Sequence, residues 1–335
     1  MAVSEKNGTE IRLNKVMHQW VIITPNRGRR PRDFAASVKS DAAVPAHDPG
    51  CPFCPGNEER LGSRILETGA NGQWYTRVVA NKFPALTPDG SMQRVREGIY
   101  LKMSGYGRHE VVIETPRHDR HPGVMSVEET HRIIETYHRR YQELAQQHGN
   151  MSILIFRNHG RRAGTSLIHP HSQIVVTGMV PQHVRRRENE ALRYYDQFGR
   201  CVFCDILDFE LRHRERVVME NDGFVGVVPF AADVPFEMWI MPRKHQADFG
   251  SIEASRRKDL AAMLQALLHR LCKSLHNPDY NYMINSTSGY RADEPHLHWY
   301  VRIAPRLTTR AGFEIGSGVS INPSVPEDDA AFLKR

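Results

Sequence analysis

The sequence predicts an α+β protein built from two tandem repeats, each a mostly antiparallel sheet with one long helix packed on it. Two Cys-x-x-Cys pairs are each followed by a histidine shortly after a Pro-Arg pair, in TPRH and MPRKH, and then by a His-x-His triplet. Each half also has short apolar stretches typical of strands and one long segment with helical spacing of its apolar residues. The composition, 40% hydrophobic and 25% charged, is that of a globular protein.

Equal spacings support the duplication. His118 and His169 are 51 residues apart, and so are His245 and His296. Self-similarity at a fixed offset is the signature of a repeat. We therefore divide the chain into residues 1–185 and residues 186–335. The arginine-rich stretch QHVRRRENEALRYYDQFGR at the boundary is expected to form a linking helix.

Within each half the predicted elements follow one order. Short strands (RVVAN and EVVIE; FVGVV and EMWIM) precede the long helix, which is followed by another strand (SILIF; YNYMIN), a loop and the His-x-His strand. Ser126 with Glu129 three residues later predicts a capping box at the start of the first long helix. Near the N-terminus, WVIITP predicts a strand. The basic segment RGRRPR that follows it has two interpretations, part of a phosphate-binding pocket or a solvated loop.

Charge and hydropathy narrow the function classes. The net charge of +7 suits nucleic acid or small phosphorylated substrates, but the sequence has no basic stripe interleaved with aromatic residues. No apolar run approaches the roughly 18 residues needed to span a bilayer. The start MAVSEKNGTE lacks the apolar segment of a secretory signal. We therefore expect a cytoplasmic protein with neither membrane nor nucleic acid as a partner.

The cysteines and histidines of each half predict a metal site. Zinc prefers a tetrahedral set of thiolates and imidazoles. In a cytoplasmic chain, Cys-x-x-Cys indicates metal or redox chemistry more often than a structural disulfide. The alternative is a group of small buried thiols beside hydrogen-bonded histidines. For two zinc ions per chain, the expected ligands are Cys51, Cys54, His118 and His169 at the first site and Cys201, Cys204, His245 and His296 at the second.

The second histidine of the first triplet is the predicted reactive group. Side chains alternate along a strand, so His171 shares a face with His169 but cannot join a ligand set that is already complete. Neutral imidazole attacks phosphorus, and an ordinary pKa of about 6.5 leaves it mostly neutral at pH 7. Gln173 follows on the same face and can donate a hydrogen bond to a phosphoryl oxygen.

Only the first half carries this chemistry. The loop before its triplet, RNHGRRAGTS, offers backbone and hydroxyl groups that suit a phosphate, at Gly164, Thr165 and Ser166. The corresponding loop of the second half, NSTSGYRADEP, contains acidic residues, and Tyr300 stands at the position of the glutamine. We therefore interpret His298 as a degenerate or structural copy.

These motifs resemble the galactose-1-phosphate uridylyltransferase family, the transferase branch of the histidine triad superfamily. The resemblance covers nearly the whole chain, in RLNKVMHQWVIITPNRGRRP, CPFCPGNEER, RVVANKFPAL, HEVVIETPRH, HPHSQ and AGFEIGSGVSINPSVPEDDAAFL. It implies two tandem histidine-triad-like repeats and ping-pong transfer through a nucleotidyl-histidine formed on His171. Gln173 would steady that intermediate; in the hydrolase branch a third histidine stands there, so the glutamine favours transfer over hydrolysis.

The resemblance also implies substrates and a partner. The substrates would be a nucleotide sugar and a hexose 1-phosphate. In the family a residue matching Glu314 often contacts the sugar across a dimer interface, so a homodimer is expected. The implied substrate-binding residues near phosphates, nucleoside and sugar are Arg27, Arg30, Asn81, Asn158, Gly164, Thr165, Ser166, Glu314 and Asn322.

Three functions stay open at this stage. The first is conversion of UDP-glucose and galactose 1-phosphate to glucose 1-phosphate and UDP-galactose. The second Cys-x-x-Cys pair resembles a branch with plant and archaeal relatives, some of them phosphorylases of ADP-glucose. An ADP- or UDP-sugar phosphorylase or adenylyltransferase of the same fold is therefore the alternative. A zinc-dependent nucleic-acid-binding protein is the remote third; it predicts salt-sensitive binding and gives Gln173 no role.

Overall fold

A computed structural model describes residues 8–25, 34, 44–148 and 151–335. The strands are β1 (Glu10–Asn14), β2 (Gln19–Ile23), β3 (Arg64–Ala70), β4 (Gln73–Ala80), β5 (Arg94–Glu97), β6 (Tyr100–Met103), β7 (Gly107–Ile113), β8 (Ser152–His159), β9 (His171–Thr177), β10 (Val217–Glu220), β11 (Phe224–Val227), β12 (Met238–Pro242), β13 (Tyr280–Asn285), β14 (Tyr300–Pro305) and β15 (Ser320–Asn322). The helices are α1 (Val127–Gln147), α2 (Gln182–Phe198), α3 (Val202–His213), α4 (Ala254–Leu275), α5 (Gly312–Ser317) and α6 (Pro326–Leu333).

Ten strands form one sheet in the order β10-β11-β12-β14-β13-β8-β9-β7-β4-β3. Every neighbouring pair in it is antiparallel. Each repeat supplies five strands that are adjacent in the sheet, and the two sets of five meet at the β8–β13 pair. This symmetrical order confirms the predicted α+β class and the duplication. It also shows that the two repeats share a single sheet.

The long helices α1 and α4 cover one face of this sheet and pack against each other. Ser126 caps α1: its hydroxyl accepts the Glu129 N–H, and the Glu129 carboxylate accepts the Ser126 N–H, so the predicted capping box is confirmed. The main core joins both repeats, with Ile134 of α1, Ile174 of β9 and Leu267 of α4 all buried in one cluster. One face of the sheet is thus covered by the core, and side chains on the opposite face are the ones available to bind a ligand.

Three short strands form a second sheet in the order β1-β2-β15. It holds β1 and β2 against the second repeat, where Arg12 lies 2.9 Å from the Glu327 carboxylate and donates to the Phe230 carbonyl. Helix α2 covers the predicted 185/186 boundary, so the linking helix is found as expected. Among the described residues, no helix combines the length and apolar character that crossing a membrane requires.

Candidate active site and metal centres

The first Cys/His cluster is buried beside the start of β9. Its four members lie on a turn, on the loop after β7 and just before β9, and their ligand atoms all lie within 4.8 Å of one another: Cys51, Cys54, His118 and His169. Cys54 Sγ is 3.4 Å from His118 Nδ1 and 3.5 Å from His169 Nδ1. The structure thus brings together the full predicted first set.

These sulfur–nitrogen distances fit a metal ion with tetrahedral coordination. Zinc bonded at about 2.3 Å to sulfur and about 2.05 Å to nitrogen places those two atoms about 3.6 Å apart. His169 Nε2 is 2.8 Å from the Thr115 carbonyl, so its N–H donates there and Nδ1 keeps its lone pair for a metal. Burial raises the pKa of the Cys51 thiol to about 11, and a bound cation would be needed to hold it as the thiolate.

The second cluster contains His298 in place of His296. The prediction that His296 is a ligand of this cluster is therefore wrong. The grouped residues are Cys201, Cys204, His245 and His298. Cys204 Sγ is 3.3 Å from His245 Nδ1 and 3.7 Å from His298 Nδ1. Both distances are again close to the sulfur–nitrogen separation of about 3.6 Å in a tetrahedral zinc site. Of the two interpretations of His298, a degenerate or a structural copy, the geometry favours the structural one, with His298 as the counterpart of His169.

A loop-length difference explains the error. Arg157 pairs with Ser172 across β8–β9, and Ile284 pairs with Val301 across β13–β14. The connection in the second repeat is thus two residues longer, and β14 begins at Tyr300 where β9 begins at His171. Counted from the strand starts, His298 matches the first histidine of the first triplet. The equal spacing of 51 residues conceals this shift.

The displaced histidine lies beside the cluster instead. The His296 ring is 3.2 Å from the Arg291 guanidinium and 3.5 Å from the Glu294 carboxylate. Its backbone carbonyl faces the Cys201 thiol at 3.6 Å. His296 therefore lies next to the cluster but directs neither ring nitrogen at it.

His171 sits at the start of β9, on the face opposite the helices. Its Nδ1 is 2.8 Å from the His169 carbonyl oxygen, an acceptor, so Nδ1 carries the hydrogen and Nε2 keeps a lone pair. Burial lowers the pKa of His171 to about 4, which makes the ring neutral at pH 7. Phe53, between the two cysteines of the first turn, packs edge-on against the His171 ring at 5.3 Å. The first cluster therefore helps to hold this ring in place.

Two carboxamides lie on the same open face. Pairing places Val111 opposite Gln173, and the side-chain oxygen of Gln173 is 2.7 Å from His109 Nε2. On the neighbouring strand, the side-chain oxygen of Asn158 accepts a hydrogen bond of 2.8 Å from the Asn281 amide. In both cases the oxygen is tied to the protein. The NH₂ group is the end that remains for a ligand.

The loop between β8 and β9 is fastened to the second repeat. Asn281 also donates to the Ala163 carbonyl at 2.9 Å, and the Asp279 carboxylate accepts the Arg162 N–H at 2.6 Å. Gly164 follows with φ of +93°, a left-handed conformation that favours glycine. A single candidate site is thus built by both repeats: His171, Gln173 and Asn158 come from the first, and Asn281, which holds Asn158, comes from the second.

The predicted substrate contacts have different outcomes. Arg27 and Arg30 lie outside the described residues. Asn81 accepts the Phe83 N–H through its side chain, and Ser166 is exposed beside the partly buried Thr165.

Near the C-terminus, two predicted sugar contacts are engaged locally. The Glu314 carboxylate accepts the N–H of Ala311, at the start of α5, and the N–H of Ile321 in β15. Asn322 is fully buried, donating to the Ala232 carbonyl and accepting the Ser324 N–H. Within this chain Asn322 is therefore a structural residue and not a contact open to substrate.

The second repeat has no histidine at the position of His171. Tyr300 takes the position of His171, and its ring is buried against Trp239 at 4.8 Å. Arg302 takes the position of Gln173 and pairs with Glu237 at 2.7 Å. The earlier alignment of Tyr300 with Gln173 is corrected by the same two-residue shift. This half contributes Asn281 to the candidate site but has neither an imidazole nor a carboxamide at the two positions.

Two supporting residues were missed by sequence reasoning, His109 and Asn281. The alternation in GRHEVVI could have placed His109 on the face of Val111 and Ile113, but the register against β9 was unknown. Asn281 acts through the β8–β13 pair, which joins the two repeats and has no local signal in YNYMIN. Both contacts depend on strand pairing between distant segments.

Comparisons with known proteins identify the family. The family models for the N-terminal and C-terminal domains of galactose-1-phosphate uridyl transferase match residues 1–181 and 187–323. ADP-glucose phosphorylase from Arabidopsis thaliana is 34% identical over 99% of this chain and 94% of its own length. Galactose-1-phosphate uridylyltransferase from Thermotoga maritima is 27% identical over 97% of this chain and 98% of its own.

Solved structures show the same fold. The crystal structure of the Arabidopsis thaliana ADP-glucose phosphorylase with bound ADP-glucose superposes with a TM-score of 0.83 at 32% identity, covering 98% of this chain and 99% of that one. A uridylyltransferase structure gives a TM-score of 0.74 at 24% identity, with 97% of each chain covered, which supports the fold alone. The chain therefore belongs to the galactose-1-phosphate uridyl transferase family of hexose-1-phosphate nucleotidyltransferases.

Proposed function

We propose that His171 is the nucleophile of a double displacement on a nucleotide sugar. The carrying observation is the bond from its Nδ1 to the His169 carbonyl, which leaves the Nε2 lone pair for attack. Nε2 bonds to the α-phosphorus while the bond from that phosphorus to the bridging oxygen breaks, and hexose 1-phosphate departs with the electron pair. An oxygen of the second phosphate substrate then attacks the phosphorus and breaks the P–N bond, restoring the imidazole.

The two fixed carboxamides suit this chemistry. Gln173 and Asn158 present NH₂ donors that can stabilise negative charge on the phosphoryl oxygens. An amide is neither an acid nor a base near pH 7, so it supplies hydrogen bonds without activating water. This property supports transfer to a phosphate over hydrolysis.

The first substrate pair we propose is UDP-glucose and galactose 1-phosphate. A second candidate, phosphorolysis of ADP-glucose, is favoured by a specific observation: the full-length relative at 34% identity is an ADP-glucose phosphorylase. Both reactions begin with the same type of half-reaction, transfer of a nucleotidyl group to the histidine. They differ in the nucleobase and in the phosphate compound that accepts the nucleotidyl group in the second half-reaction. We propose that either takes place in the cytoplasm.

Zinc is the metal we propose for both clusters, on the chemistry of their cysteine and histidine donors. Bound there, it would hold the Cys51–Cys54 turn and the start of β9 as one rigid unit. In the first half this unit carries Phe53 against the His171 ring. The second cluster, on the other repeat, would fix the start of β14.

We also propose a homodimer in which Glu314 contacts the sugar held by the partner subunit, with Arg27 and Arg30 near the phosphates. The support is the family resemblance of these motifs. Mixing inactive His171→Asn chains with Glu314→Ala chains should restore part of the activity, because one of the mixed sites would then have both residues. A monomer by light scattering and no restored activity would contradict the dimer.

A panel of UDP- and ADP-sugars crossed with galactose 1-phosphate, glucose 1-phosphate and inorganic phosphate tests the reaction. We expect labelled hexose 1-phosphate to exchange into its nucleotide sugar without a second acceptor, because the first half-reaction is complete in itself. Inorganic phosphate active in place of the sugar phosphate would select phosphorolysis. Absence of exchange with every nucleotide sugar would refute the double displacement.

A further inference from the structure

We infer that His109 is a positioning residue that fixes which end of the Gln173 amide faces the phosphoryl group. This inference rests on the proposed role of Gln173. The pairing of β7 with β9 sets Val175 opposite His109 and Gln173 opposite Val111, so all four share the open face of the sheet. From this diagonal position His109 Nε2 reaches the Gln173 side-chain oxygen at 2.7 Å.

The hydrogen-bond partners of His109 determine its tautomer. The Ala85 backbone N–H donates to His109 Nδ1 at 3.0 Å. A backbone N–H can only donate, so Nδ1 carries a lone pair and the hydrogen sits on Nε2. An Nε2–H can only donate in turn, so the Gln173 atom that faces it is the carbonyl oxygen. The NH₂ group of Gln173 is thereby turned away from His109.

The ring is itself held by the loop that follows β4. The Asn81 N–H donates to the His109 carbonyl at 3.0 Å, and Ala85 reaches the ring as described. The Asn81 side-chain oxygen accepts the Phe83 N–H at 2.9 Å, which directs its NH₂ group towards His109. Two donors cannot bond to each other, so the Nε2 hydrogen is left to Gln173.

The orientation matters because a carboxamide has two opposite ends. Its NH₂ end stabilises negative charge on a phosphoryl oxygen, whereas its oxygen end would repel it. Donors fixed before reaction stabilise developing charge most effectively, and loss of one such donor costs on the order of 10²–10³ in rate. A partner that can only donate, and therefore bonds only to the Gln173 oxygen, keeps the NH₂ end free for the phosphoryl group.

Two variants of nearly equal shape separate the directions of this bond. The amide of His109→Gln can still donate to the Gln173 oxygen, while the carboxylate of His109→Glu can only accept and would capture the Gln173 NH₂ group. In the labelled hexose 1-phosphate exchange, we expect His109→Gln to stay within about threefold of wild type. His109→Glu should lose about 100-fold, and His109→Met about tenfold.

Each variant is also made on a Gln173→Ala background, which removes the amide to be oriented. We expect His109→Met and His109→Glu to have less than about threefold further effect there, because coupled residues give non-additive changes. His138→Met is the matched control, since the buried His138 ring bonds the Gly250 carbonyl on another element. It should stay within about twofold of wild type, and unfolding temperatures show whether every variant folds.

The outcomes distinguish the inference from the proposed function. Equal rates for His109→Gln and His109→Glu, or the same losses with and without Gln173, would overturn the positioning role. A Gln173→Ala variant as fast as wild type would instead overturn the role of Gln173 in the reaction, and the inference with it. A strong Gln173→Ala defect that masks the His109 variants is the result the geometry predicts.

Discussion

The second metal cluster should release its ion to a chelator well before the first. His169 donates its Nε2 hydrogen to the Thr115 carbonyl, but within the described residues the buried His298 Nε2 has no hydrogen-bond partner. Supporting bonds of this kind typically change metal affinity by 10–100-fold. The second cluster also includes the exposed His245 and the partly exposed Cys204, whereas the first is buried throughout. We therefore expect at least a tenfold difference in apparent affinity.

Zinc-loaded protein is titrated with a chromophoric chelator, and the released metal is followed by absorbance. Cys51→Ser and Cys201→Ser each leave one complete cluster and serve as the matched pair. The protein that keeps only the first cluster should hold its ion about 10–100-fold more tightly. Equal affinity in the two variants, or tighter binding by the second cluster, would refute the reasoning from the missing partner.

Three further outcomes follow from the geometry. His298→Asn should lose the second metal while His296→Asn keeps it, measured as zinc per chain; the reverse would restore the original ligand set. Asn281→Asp should slow the exchange reaction by about 10-fold or more, since its carboxylate can only accept and would turn the Asn158 amide round; an unchanged rate would contradict this. Ser126→Ala should cost about 1 kcal/mol of unfolding free energy by denaturant titration without changing kcat, and no loss of stability would mean that the capping box is redundant.

Much of the fold follows from local sequence signals. The capping box at Ser126, the long amphipathic helices and the alternating strands each have their own pattern, and the repeated motifs indicate the duplication. The sequence does not reveal that β8 and β13 join the repeats into one sheet. Such a pairing depends on contacts between segments more than 100 residues apart.

The site was only partly predictable for the same reason. The first Cys/His set and the position of His171 beside it emerge from spacing alone. Equal residue counts predict His296 as the ligand, because they do not reveal that the loop of the second repeat is longer by two residues; the structure has His298 there instead. His109 and Asn281 act across strand pairs, so their roles become visible only once the register is known.

Intact-mass analysis after incubation with a nucleotide sugar tests the nucleophile directly. The wild-type chain should gain the mass of one nucleotidyl group, a nucleoside monophosphate less water, bound to Nε2 of His171, and lose it when hexose 1-phosphate is added back. His171→Asn should fold, keep its metal and gain no mass, because asparagine has no nucleophilic nitrogen of comparable strength. A nucleotidyl adduct that persists in His171→Asn would contradict the assignment of this histidine.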